Sequence, residues 1–173
     1  MRTTLEEIEA DYRQLYEYHT PLLRFLKDAG TPPPKALYTA AEFVLNAELH
    51  RAFENDDLEL KRIENLLREA QSEGISLEEE SLGYSIRKAL ERIARRLEAS
   101  PDDLSVLGEL EQATKLVSGL PFAVNLWEVQ NICFGMVDTA YREYQTRAEQ
   151  GDEQAGRWLQ FFSNTAENLS VRV

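Results

Sequence analysis

Apolar side chains recur along this chain at intervals of three and four residues from one end to the other, and only an α-helix lines up that spacing on one face. Leu5, Ile8, Tyr12, Leu15 and Tyr16 mark such a face in the first segment, and the pattern restarts in each later one. The alternation of β-branched and polar residues that a half-buried strand needs is almost absent. The pattern predicts an all-α fold, a single-domain bundle or layered array of about seven helices.

Start and stop signals divide the chain. Thr4 with Glu7 has the spacing of a capping box, whereas His19-Thr20-Pro21 predicts a kink or break, because proline lacks the N–H that continues a helix. The pattern resumes with Leu22, Leu23, Phe25 and Leu26, stops at Gly30, and gives way to an extended connector at Pro32-Pro33-Pro34. A second helix is predicted over about Lys35–Phe53, facing inward with Leu37, Ala41, Val44, Leu45, Leu49, Ala52 and Phe53. After the turn Asn55-Asp56-Asp57, a third carries Leu58, Ile63, Leu66, Leu67 and Ala70 and ends at Gly74.

Ser76 with Glu79 reads as the capping box of a fourth helix, whose inward face is Leu77, Leu82, Ile86, Leu90, Ile93 and Leu97. In Ser100-Pro101-Asp102-Asp103 a capping serine precedes a proline at the first helical position, opening a fifth helix with Leu104, Leu107, Leu110, Ala113, Leu116 and Val117. Asn125 and Glu128 cap a sixth that reaches about Gln150. Gly151-Asp152 separates a last helix with Ala155, Trp158, Leu159 and Phe162, and Leu169 to Val173 carries no helix signal. The short connectors place successive helices roughly antiparallel. No repeat and no second boundary is visible, so the 173 residues read as one domain.

The sixth segment differs from the others. Leu126, Trp127, Val129, Ile132, Cys133, Phe134, Met136 and Val137 surround the helix axis on nearly every side, which predicts a buried central helix near residues 125–150.

Charge narrows the function classes. With 31 acidic against 19 basic residues the net charge is −12, a field that repels phosphate backbones and anionic headgroups, so neither nucleic acid nor a membrane is expected as a partner. Leu120–Val129, the most apolar stretch, is interrupted by Pro121, Asn125 and Glu128 and falls short of the roughly 20 apolar residues of a membrane span. The lone Cys133 excludes an intrachain disulfide and the N-terminal residues lack the apolar core of a secretory signal, so a cytoplasmic location is expected. Asn168-Leu169-Ser170 matches a glycosylation sequon that such a location leaves unused.

Reaction chemistry finds few parts. His19 and His50 are the only imidazoles, Tyr16 and Ala47 stand where a Glu-x-x-His pattern needs glutamate, and no second cysteine exists, so no metal site is expected. Scattered single glycines build neither a Walker loop nor a dinucleotide fingerprint, so no cofactor is expected. Carboxylates are too many for any pair to stand out, and the basic stripe Lys88, Arg92, Arg95 and Arg96 is interleaved with Glu91 and Glu98, which favours a self-neutralised helix surface. The chain by itself is not expected to be an enzyme.

Two polar stripes remain. Trp127, Gln130, Asn131 and Phe134 share one helical face, where aromatic rings can stack on a sugar and amides can hydrogen-bond it; satisfied core amides are the plainer explanation. Tyr38, Glu42, Asn46 and His50 follow one another by a helical turn, and the solvent face of the second helix is the plainer explanation there.

The segments Ala40-Ala41-Glu42-Phe43-Val44-Leu45-Asn46 and Leu120-Pro121-Phe122-Ala123-Val124-Asn125-Leu126-Trp127-Glu128-Val129-Gln130-Asn131 resemble a bacterial and archaeal family of unknown function. That family looks like the helical C-terminal region of proteins whose N-terminal part is similar to glycoside hydrolase family 57. In such enzymes the catalytic glutamate and aspartate lie in a distorted β/α barrel, against which the helical region packs. No position of this chain matches the barrel. The resemblance therefore implies that the chain is the C-terminal part of a longer protein, a non-catalytic accessory domain that docks on the barrel of the same protein and helps line a glycan cleft, with Trp127, Gln130 and Asn131 as candidate substrate-binding residues. The alternative is a free-standing helical protein-interaction or self-association module.

Overall fold

The computed structural model of the chain describes residues 4–172, the side chain of Leu5 excepted. Among these residues every regular element is a helix, in keeping with the all-α reading. The seven helices are α1 (Thr4–Asp28), α2 (Lys35–Glu54), α3 (Leu60–Glu73), α4 (Glu79–Ala99), α5 (Leu104–Ser118), α6 and α7 (Glu153–Asn168). α6 runs through Trp127–Met136, a π-turn at Val137–Tyr141, and Arg142–Glu149. Backbone packing divides the chain into two compact units, one ending at Leu82 and one beginning at Gly83, so the boundary falls inside α4.

In the first unit α1 packs on α2, and α3 packs on both. Tyr16, Leu23, Leu37, Ala40, Ala41, Val44, Leu45, Ala70 and Ile75 form one buried cluster, with Tyr12, Leu15, Leu66 and Leu77 against its margin. The inward face expected of α2 is buried throughout, whereas Ile8 on α1 is exposed. The expected interruption at His19-Thr20-Pro21 is no break, since α1 continues through Pro21. Packing outweighs the lost hydrogen bond: Tyr16 before the proline and Leu23 after it are both buried, and the Thr20 hydroxyl donates to the Tyr16 carbonyl at 2.9 Å. Gly74 ends α3 in the left-handed conformation at φ 68°, which a residue without Cβ adopts at no steric cost.

An ion network laces the three helices. Arg13 pairs with Glu9 at 3.0 Å and with Glu48, Arg51 joins the same two carboxylates, and Arg62 reaches Glu48 from α3. The Arg51 and Arg13 guanidinia hold the Glu9 carboxyl below the usual glutamate range. At Glu48 burial works against the charge, but Arg13 and Arg62 outweigh it and the net shift is downward.

In the second unit α7 packs on α5 and on the C-terminal part of α6. Its centre is an aromatic stack: Tyr144 lies on Trp158 at 4.3 Å between centroids with the planes 6° apart, and Trp158 lies on Phe162 at 4.8 Å and 10°. Offset stacks of this kind add about 0.5–1.5 kcal/mol to area burial. The Trp158 indole N–H donates to the Pro101 carbonyl at 2.6 Å, so the buried ring leaves no polar atom unsatisfied.

That bond also bears on the start of α5. Ser100 was expected to cap it, but Pro101-Asp102 forms a turn before the helix, closed by the Asp103 N–H on the Ser100 carbonyl at 3.1 Å, and Asp103 is the cap, its carboxylate accepting from the N–H of Ser105 at 3.0 Å and of Val106 at 3.1 Å. Held by Trp158, the Pro101 carbonyl anchors the turn three residues upstream. Asp152 caps α7 in the same way, from Gln154 and Ala155, while Arg147 grips its other oxygen at 2.8 Å.

α6 corrects the expectation of a helix buried on all sides. Val129, Cys133, Met136, Ala140 and Tyr144 form one buried face, and the opposite side of the helix is open, with Trp127 and Phe134 prominent on it. A helix apolar all round therefore signals either an encircled element or, as here, one that leaves part of its apolar surface uncovered.

Candidate functional site

The polar stripe of α2 is not a solvent face. Asn46 is 2% exposed and its amide is fully engaged: Nδ2 donates to the Glu42 carbonyl at 2.8 Å and the Ser76 carbonyl at 3.0 Å, while Oδ1 accepts from the Glu78 N–H at 2.8 Å. Tyr38 reaches the same connector, its hydroxyl accepting from the Ser76 N–H at 3.2 Å and donating to the Gly74 carbonyl at 3.4 Å. His50 Nε2 lies 3.2 Å from the Ser81 hydroxyl and 3.9 Å from the Glu78 carboxylate. Three of the four residues thus clasp the segment 74–81 that leads into α4, and Glu42 contributes its carbonyl.

This clasp displaces the predicted Ser76 capping box. Asn46 supplies the acceptor that the Glu78 N–H needs, so α4 begins at Glu79 and Ser76 turns to Tyr38. A side chain 32 residues away does the work that local capping was expected to do.

The α6 stripe is divided. Gln130 Nε2 donates to the Leu169 carbonyl at 2.8 Å and ties α6 to the C-terminal cap of α7, which is a structural role. Trp127, 69% exposed, and Phe134, 62% exposed, stand on the open side with the exposed Asn131. Asn125 orients the start of this face, its Oδ1 accepting from the Trp127 N–H at 3.1 Å. The basic stripe of α4 is neutralised by more helices than its own: Lys88 pairs with Glu91 at 2.8 Å, Arg95 with Glu128 of α6, and Arg96 with Glu109 of α5 at 3.3 Å.

One constellation escaped the sequence reading. Glu69 and Glu73, a turn apart on α3, both approach the hydroxyl of Tyr16 on α1, at 2.7 and 3.3 Å. Glu73 also lines a cavity of about 360 Å³ with Leu23, Lys27, Pro33, Tyr38 and Ile75. Burial and, next, hydrogen bonding to Glu69 raise the Tyr16 hydroxyl far above the usual phenol value, so it acts as a donor. The i, i+4 spacing of two glutamates beside the inward Leu66 and Ala70 was the available signal, hidden among many other acids.

Among the described residues, no group of three or more His, Cys, Asp and Glu side chains is placed to hold a metal ion, and no helix is long and apolar enough to cross a membrane. Cys133 is buried, and burial pushes its thiol up to about 12, so it is held as a small apolar group. Comparison of the chain with protein-family models, curated proteins and solved structures finds no match in any of the three.

Proposed function

We propose that this chain is a non-catalytic helical accessory domain of a carbohydrate-active protein of the family 57 kind, docking on the catalytic barrel of the same protein and lending an aromatic face to its glycan cleft. The observation that carries this reading is the open side of α6, where the exposed Trp127, Asn131 and Phe134 lie at i, i+4 and i+7. An indole in water is held at a cost that burial against a partner recovers, and its flat face suits the C–H surface of a pyranose ring. The segment that resembles the family ends on this same face, at Asn131.

The test uses the two tryptophans, one exposed and one buried. Titration with α-glucan oligosaccharides is expected to shift the emission of Trp127 and to leave that of Trp158 in the Trp127→Phe protein unchanged. A flat response from the intact protein removes the glycan role. Mixing with the barrel is expected to raise the melting temperature of the chain, and failure of the two to associate removes the docking role.

A second reading, a helical interaction or self-association module, draws on α1. Tyr18, Leu22 and Phe25 are exposed at i, i+4 and i+7 on a helix whose other side fills the core of the first unit. Sedimentation velocity separates the readings: association abolished by Phe25→Glu supports the module, and a monomer at all concentrations removes self-association.

A further inference from the structure

The cluster around Glu73 has more acceptors than donors. The Tyr16 hydroxyl carries one proton, yet two carboxylates approach it, Glu69 Oε1 at 2.7 Å and Glu73 Oε2 at 3.3 Å. The longer bond falls to Glu73, whose remaining oxygen, Oε1, is closed off from solvent and has no hydrogen-bond partner. A carboxylate in that position has given up water without a full replacement.

The surrounding groups do not make up the deficit. From α1, Arg24 stands 3.9 Å from Glu69 with most of its side chain in solvent, where its field is weakened, and Lys27 lines the same cavity as Glu73 without pairing with it at salt-bridge distance. From the start of α2, Tyr38 lines the same cavity, but its hydroxyl is engaged by Gly74 and Ser76. From α3 itself, Glu69 adds a like charge one turn away.

We propose that Glu73 is a proton-operated latch between α1 and α3: protonated, it seats as a neutral group beside Tyr16 and Glu69, and ionised, it forces two like charges together and loosens the C-terminal half of α1. Protonation removes the repulsion and adds the second donor that the cluster lacks. Tyr16 and Leu23 are core residues of the first unit, so a change in how α1 seats is felt in its packing.

The pH dependence follows from the same groups. Burial first, and the Glu69 charge second, raise the Glu73 carboxyl above the ordinary value of 4.5, against the opposing pull of Tyr16, Arg24 and Lys27. The folded chain therefore keeps this proton over a window in which the unfolded chain has released it. The stability it contributes is complete below the unfolded value and is lost as pH rises through the raised folded value.

The experiment is a carboxyl-carbon NMR titration of the full chain, paired with amide hydrogen exchange corrected for its intrinsic pH dependence. The Glu73 midpoint is expected above 4.5. Protection of the α1 amides around Leu23 is expected to fall several-fold across that midpoint, while protection in α7 stays level. Glu73→Gln is expected to keep α1 protected at every pH, and Glu69→Gln to lower the Glu73 midpoint. A midpoint at or below 4.5, or α1 protection that does not change across it, overturns the proposal. Both readouts on the unsubstituted protein decide the matter should either variant fail to fold.

Discussion

The polar stripes of α2 and α6 look alike as patterns, since each sets aromatic and amide side chains along one helical face, yet they have opposite fates. On α2 the stripe is drawn inward: Asn46 gives one amide hydrogen and its oxygen to the connector into α4 and its other hydrogen to the Glu42 carbonyl, and Tyr38 and His50 reach the same connector. Of the α6 stripe, Gln130 finds a distant partner, the Leu169 carbonyl, and Trp127, Asn131 and Phe134 stay open. The difference teaches that a polar stripe is a clasp where another segment's backbone needs its donors and acceptors, and an available surface where none does.

Substitutions can break this contrast. The largest effect is expected at Asn46→Leu, which strands the Glu78 N–H and the Ser76 carbonyl and costs about 2–3 kcal/mol in urea unfolding; a loss under about 1 kcal/mol would make the clasp incidental. Gln130→Ala removes one bond to the Leu169 carbonyl and is expected to cost about 1 kcal/mol by the same measurement. Tyr38→Phe keeps the ring and loses only the hydroxyl, at about 0.5–1 kcal/mol. The smallest effects belong to the open face: Trp127→Ala and Asn131→Ala are each expected to stay within about 0.5 kcal/mol of the parent. Acrylamide quenching sharpens the same point, because Trp127 should be quenched readily and Trp158 hardly at all. Equal quenching of both indoles would contradict the contrast between the open side of α6, which carries Trp127, and its covered side, where Tyr144 stacks on Trp158 of α7.

Much of the fold was legible in the residues. The inward faces of α2, α4 and α5 rest on i, i+3 and i+4 spacing, a property of the helix itself, and they are buried as read, apart from half-buried Leu77, Leu104 and Leu116. Gly74 and Gly151 punctuate the chain where their positive φ requires. The errors cluster where a distant partner competes with a local signal. Of the kink or break that Pro21 signals, the break does not occur, because buried residues on either side carry the helix past it. Ser76 and Ser100 have the chemistry of caps, but Asn46 and the anchored Pro101 turn shift the starts of α4 and α5 downstream.

The candidate sites were less legible for the same reason. Spacing placed Trp127 with Asn131, and Tyr38 with Asn46, on common faces, yet it said nothing of what would lie against those faces. The pairing of Tyr16 with Glu69 and Glu73 spans more than fifty residues and is made by the packing of α1 on α3.

By itself, the order of residues determined that the backbone would coil, roughly where each coil would begin and end, and which apolar side chains would avoid water, because these depend on neighbours within about one helical turn. Only the tertiary structure decided which polar groups were absorbed as fastenings, which carboxylate was left short of donors and which aromatic rings stayed in water. Those outcomes depend on donors and acceptors brought together from distant parts of the chain, and no local spacing encodes them.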